Sequence, residues 1–229
     1  MSSTNALGFC GRFGATFMAP KLAMEEVRIQ PRWVAAGLVL MVVAAIFSGA
    51  TMRIAGVENL ELMRETSMGQ LIDIDALQEQ AANTSADAVI KTIIISAIDS
   101  WFNLFLVAFG WLICCKIGGG VGTFKQMLGV VAWGKLISAS GMIVKLPLIL
   151  SLNSVARVST SLALLSGDPN SLSYQLLDIF DFFAIWSLIV IAIGIKAVHN
   201  FSRNQTIAVA SLPWLLVKLA SVSLSRMFL

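Results

Sequence analysis

Apolar residues gather into five long runs, approximately residues 33–51, 93–115, 127–152, 177–198 and 207–228. Crossing the hydrocarbon of a bilayer takes roughly 20 mostly apolar helical residues. In lipid every backbone polar group must be satisfied within its own segment, and the period-two alternation of a membrane barrel is absent. Each run therefore predicts a transmembrane helix. The expected fold is all-α: an integral membrane bundle of five transmembrane helices, residues 33–229, preceded by an amphipathic segment, residues 1–32. Residues 52–92 form an acidic loop carrying Glu58, Glu61, Glu65, Asp73, Asp75, Glu79 and Asp87. Leu60, Met63, Leu71, Ile74 and Leu77 recur there at near-helical spacing, which predicts a short helical excursion.

The leading segment has its own pattern. Phe9, Phe13 and Phe17 fall at i, i+4 and i+8, with Arg12 and Lys21 off that stripe. Pro20 breaks the segment, and Pro31 ends its successor just before Arg32 and Trp33. A helix lying in the headgroup plane fits this spacing, as does a surface for docking a partner. The first long run is read as a span rather than a cleaved leader. Some 32 residues precede it, and its apolar stretch exceeds the core of a signal peptide.

Composition agrees with hydrocarbon as the main solvent. The 229 residues are 57% hydrophobic and only 13% charged, with a mean hydropathy of +0.83. Soluble domains carry about a quarter charged residues. A net charge of +3 spread along the chain excludes the concentrated basic face that nucleic acid requires. Cys10, Cys114 and Cys115 build no disulfide framework. Single His and Tyr residues, His199 and Tyr174, leave no basis for a histidine metal site or a Ser/His/Asp triad. No catalytic, cofactor-binding or metal site is expected.

Basic residues in short loops set orientation. Arg12, Lys21, Arg28, Arg32, Lys116, Lys125, Lys196 and Arg203 lie on one side; Arg53, Arg64, Arg157 and Arg226 lie on the other. The bias predicts a cytoplasmic N-terminus and an external C-terminus.

Ionisable groups within spans are costly and usually face the bundle interior. Asp99, Lys135, Lys145, Asp178, Asp181 and Lys218 are the candidates. Thr92, Ser96, Asp99 and Asn103 form one polar stripe on the second span. At about 1.5 Å rise per residue, Asp99 and Lys145 lie at similar depth from the outer boundary. Asp178 and Asp181 begin the fourth span in that layer. An outer-half cluster of Asp99, Asn103, Lys145, Asp178, Asp181 and Lys218 is expected, with Lys135 alone in the inner half and free to snorkel. Structural pairing and a transport path both remain open for this cluster.

Gly118-Gly119-Gly120-Val121-Gly122 lacks the Gly-Lys-Ser/Thr ending and preceding strand of a phosphate loop. It reads as a tight cytoplasmic turn. With Phe9, Phe13 and Phe17, the glycines Gly118, Gly119 and Gly120 make a candidate cytoplasmic contact face.

Three stretches together resemble the YIP domain proteins, named for interaction with Ypt/Rab GTPases, in their bacterial branch. They are Phe17–Pro20 with Ile29–Trp33; Gly118–Gln126 with Val130–Trp133; and Leu177–Trp186 with Ile193–Ile195. The resemblance implies five spans, a cytoplasmic N-terminus and an outward C-terminus. The chain departs from the eukaryotic pattern in lacking its long cytoplasmic N-terminal domain. A Rab-type GTPase is therefore not the expected partner. The reading is a non-enzymatic, multi-pass protein of the bacterial inner membrane, an interaction or membrane-organising component. Its expected partners are the lipid bilayer and a membrane protein or a second copy. The alternative is a small permease or channel subunit using the outer-half cluster.

Overall fold

The computed structural model describes residues 7–64, 73–82, 85–166 and 171–227. Its helices are α1 (Phe9–Met18), α2 (Pro20–Ile29), α3 (Val34–Arg64), α4 (Ile74–Ala82), α5 (Ala86–Ile117), α6 (Phe124–Leu152), α7 (Leu172–Asp178), α8 (Phe182–His199) and α9 (Arg203–Met227). Among the described residues the β contribution is one isolated bridge, Ser161 to Asp181. The protein is an all-α integral membrane bundle. Five helices, α3, α5, α6, α8 and α9, are long and apolar enough to span a membrane.

Two helices outrun the apolar runs that predict them. α3 continues to Arg64 and α5 begins at Ala86, so helix occupies much of the 52–92 region expected as loop. Hydropathy marks where hydrocarbon ends, whereas a helix stops only where its backbone loses its hydrogen bonds. α4 carries Ile74 and Leu77 from the expected excursion; Glu65 and Leu71 lie outside the described residues. The fourth span is also shorter than expected. It starts at Phe182, and Leu177 and Asp178 belong to the separate helix α7.

α6 is the core element. Two-thirds of an 18-residue apolar stretch of it is buried (67%), against 11% for the like stretch of α5 and 6% for that of α9. α5 turns Ile94, Ile98, Phe102, Leu106, Phe109 and Ile113 outward. In a bilayer such side chains cost nothing, because lipid tails are as apolar as a protein interior.

The chain divides into two compact units. The first comprises residues 1–41, 99–140 and 183–216. Its core holds Met24, Val27, Leu104, Met127, Trp133, Leu136, Ile191 and Ile195. Glycines allow the closest approaches there. A Cβ at Gly134 would fall 2.4 Å from Ile191 Cγ1, and one at Gly194 would fall 2.5 Å from Val130 Cγ1 and 2.8 Å from Met24 Sδ. Ser187 Oγ adds a bond to the Gly134 carbonyl at 2.9 Å. This is the small-residue packing that joins membrane helices where water supplies no driving force.

The second unit comprises residues 42–98, 141–182 and 217–229. Here Gly49 lets α3 and α5 meet, its Cβ position being 2.9 Å from Ile93 Cγ1. Ser96 Oγ lies 2.9 Å from Ser48 Oγ and 3.1 Å from the Ala44 carbonyl.

Candidate functional site

The first unit holds a helical hairpin built around one buried cation. Arg12 is 2% exposed. Its Nε donates to Glu26 Oε2 at 3.2 Å and its Nη1 to the Gln30 carbonyl at 3.0 Å. Its Nη2 lies 3.1 Å from the same carboxylate oxygen. The guanidinium stands 5.5 Å from the centroid of the Trp133 ring, within cation–π range. Glu26 Oε1 also accepts the Leu7 N–H at 2.8 Å. A buried charge survives only when paired and hydrogen-bonded, and α1 and α2 each supply part of what the other needs. Pro20 at the first turn of α2 permits the bend without losing a helical bond. Helical spacing put Arg12 off the aromatic stripe; its burial was not legible from that pattern.

Phe9, Phe13 and Phe17 follow one another along α1. Phe9 and Phe13 lie 6.3 Å apart, Phe13 and Phe17 5.1 Å apart, and Phe9 reaches Trp133 at 5.5 Å. Phe9 and Phe13 are exposed and Phe17 is half-buried. Met18, Leu22 and Ile29 are exposed too, Met18 at 90%.

The glycine turn packs against the only histidine. Gly119 takes a φ of +83°, a conformation open to glycine, and Gly120 N–H returns to the Cys115 carbonyl at 2.8 Å. Gly122 N–H donates to His199 Nδ1 at 3.2 Å. His199 is 3% exposed and stacks on Phe201 at 5.4 Å. A Cβ at Gly120 would stand 2.2 Å from Nδ1. Gly118 and Gly119 are exposed, but Gly120 is buried. Gly120 is therefore corrected from the contact face to the packing beneath it. Gln126 fastens this turn to α2 through a 2.8 Å bond to the Arg28 carbonyl.

The six expected polar residues divide between the units. Asp99 and Asn103 fall in the first, on exposed positions of α5, with Lys135. Lys135 is not alone: its ammonium donates to Asn103 Oδ1 and feels the charge of Asp99. Helical depth predicted a snorkelling lysine; a polar neighbour one helix away satisfies it instead.

Lys145, Asp178, Asp181 and Lys218 fall in the second unit. Lys145 Nζ donates to Asp181 Oδ2 at 2.8 Å. Thr160 Oγ1 donates to the same oxygen at 2.5 Å. Asp178 Oδ1 accepts the hydroxyls of Ser161 at 2.8 Å and Ser159 at 3.2 Å. Asp178 and Asp181 do not share a helix as their spacing suggested; one ends α7 and the other precedes α8. Glu58, read from sequence only as one residue of the acidic loop, takes a specific place here. Its carboxylate accepts Ser154 Oγ at 2.5 Å and the N–H groups of Val155 and Ala156 at 2.9 and 3.2 Å, holding the segment after α6. Tyr174 Oη donates to the Ala156 carbonyl at 2.9 Å. Burial, and then the charge of Asp178, push the Tyr174 hydroxyl above its ordinary pKa. Among the described residues no three His, Cys, Asp or Glu are placed to hold a metal ion. Asp181 and Glu58 fix loops and helix ends, and Asp178 does so through Oδ1 alone.

Comparison with known proteins points one way. The Yip1 domain matches residues 14–224, which spans every stretch of the resemblance noted from sequence. The membrane protein YknW of Bacillus subtilis (strain 168) is 28% identical over 189 residues, covering 81% of this chain and 78% of that protein. No solved structure matches the chain.

Proposed function

The chain belongs to the Yip1 domain family, and we propose that within it the protein is a non-enzymatic interaction or membrane-organising component of a bacterial inner membrane. The observation that carries this reading is the hairpin. A buried Arg12–Glu26 pair fixes α1 against α2, while Phe9, Phe13, Met18, Leu22 and Ile29 remain exposed. A preorganised apolar surface on a polar anchor binds with less loss of conformational freedom than a free tail. The hairpin lies in the cytoplasmic headgroup layer and offers this surface to a membrane-protein partner. Gly118 and Gly119, exposed beside the turn, extend the same contact face.

The orientation rests on the basic residues of the short loops. Counting Lys91 with the opposite side leaves eight against five, still favouring a cytoplasmic N-terminus. The permease reading is weaker, because Asp181 and Lys145 satisfy one another and Glu58 holds a loop hydroxyl and two amides.

Purification from native membranes tests the proposal. The wild type is expected to carry a membrane-protein partner or a second copy that Phe9→Glu with Phe13→Glu releases, with the melting temperature of the variant held. Recovery of both forms alone and monomeric, together with solute flux through reconstituted wild type, overturns it.

A further inference from the structure

The second unit contains a cavity of about 270 Å³ lined by Tyr174, Gln175, Asp178 and Ile179 from α7 and its end, and by Lys218, Ser221 and Val222 on α9. Lys218, Ser221 and Val222 stand at i, i+3 and i+4 and so share one helical face. Lys218 is half-buried and, among the described residues, enters no ion pair and makes no hydrogen bond. Asp178 uses Oδ1 for two serine hydroxyls, and its Oδ2 takes none. Two opposite charges thus line one cavity with no ion pair between them, Lys218 half-buried and Asp178 exposed. A half-buried cation without a counter-charge is costly, and a ligand that complements both Lys218 and the open Oδ2 of Asp178 carries an anion and a cation a few ångströms apart.

We propose that this cavity binds a zwitterionic headgroup, its phosphate on Lys218 and its primary ammonium on Asp178. The depth is right for a lipid. α9 spans the membrane over Arg203–Leu224, so Lys218 sits roughly 9 Å inside the end of that span at 1.5 Å per residue. Around it Leu176, Phe180 and Leu219 are exposed, which gives acyl chains an apolar path away from the charged cavity. The volume suits a headgroup and falls below that of pockets holding drug-sized ligands. This site is independent of the hairpin reading and stands or falls separately.

Native mass spectrometry of the full chain in detergent, titrated with phosphatidylethanolamine and with phosphatidylglycerol, tests it. Phosphatidylethanolamine is expected to be retained about tenfold better, the worth of one charge-assisted hydrogen bond. Lys218→Met is expected to lower retention of both lipids, and Asp178→Asn to remove the preference between them. Should Asp178→Asn fail to fold, Ser221→Phe fills the cavity without touching a charge and is expected to abolish retention. Displacement of the lipid by soluble phosphoethanolamine identifies the headgroup alone as sufficient; failure to displace it assigns part of the affinity to the acyl chains. Equal retention of the two lipids by the wild type, or unchanged retention by Lys218→Met and Ser221→Phe, overturns the proposal.

Discussion

Arg12 stacks over the ring of Trp133 at 5.5 Å, so one cation of α1 touches the most buried helix of the bundle while pairing with Glu26 of α2. This makes Arg12 a joint rather than a surface charge. Arg12→Met leaves Glu26 Oε2 and the Gln30 carbonyl without the guanidinium donors, while Glu26 Oε1 keeps the Leu7 N–H. A cost of about 1–3 kcal/mol is expected, the usual penalty for stranding a buried polar group. Thermal melting in detergent measures it. Arg12→Met with Glu26→Gln is expected to recover part of the loss, because removing both charges of a buried pair costs less than removing one. Equal melting of wild type and Arg12→Met would show that the pair carries no weight.

Gly120 and His199 make a second coupled pair. An alanine Cβ at position 120 would stand 2.2 Å from His199 Nδ1 and 2.8 Å from the Cys115 carbonyl. Gly120→Ala is expected to destabilise by about 1–3 kcal/mol, the range for overpacking a tight site. His199→Ala opens space, so the double variant is expected to be more stable than the sum of the single losses predicts, though the Cys115 contact stays. Additive losses would place the strain elsewhere.

The Lys145–Asp181 pair at 2.8 Å invites a double-mutant cycle. Lys145→Met and Asp181→Asn are each expected to destabilise, with a coupling of about 1 kcal/mol or more between them. A merely interfacial lysine would give none.

Tyr174 is the only tyrosine, so tyrosinate absorbance in the ultraviolet reads this residue alone. Its midpoint is expected above the ordinary 10.0, since burial and the charge of Asp178 both oppose ionisation. Asp178→Asn is expected to move the midpoint part of the way back, burial being the larger cause. The sign for stability follows from the raised folded-state value. The unfolded chain loses its tyrosine proton first, so the contribution of Tyr174 is whole below pH 10 and declines as pH rises through the window above it. A midpoint at or below 10.0 contradicts this environment.

The solvent of this chain was legible residue by residue. Runs such as Ile93–Cys115 and Met127–Leu152 admit hydrocarbon and little else, because a helix satisfies its own backbone wherever it lies. The glycine turn at Gly118–Gly119 and the proline bend at Pro20 were legible for the same reason, being set by local backbone geometry. Partnerships were not. Lys135 and Asn103 are 32 positions apart, and Arg12 and Trp133 still farther. Hydropathy contains depth along a span but not the rotation of one helix against its neighbour, and rotation decides which polar groups meet. Spacing alone put Asp178 and Asp181 on one helix; α7 ends at Asp178 instead, and the two carboxylates take bonds from Ser159, Thr160 and Ser161. Sequence alone determined that the protein lives in a membrane as five helices. Tertiary packing decided which of its few charges are joints and which, like Lys218, line a cavity without an ion pair among the described residues.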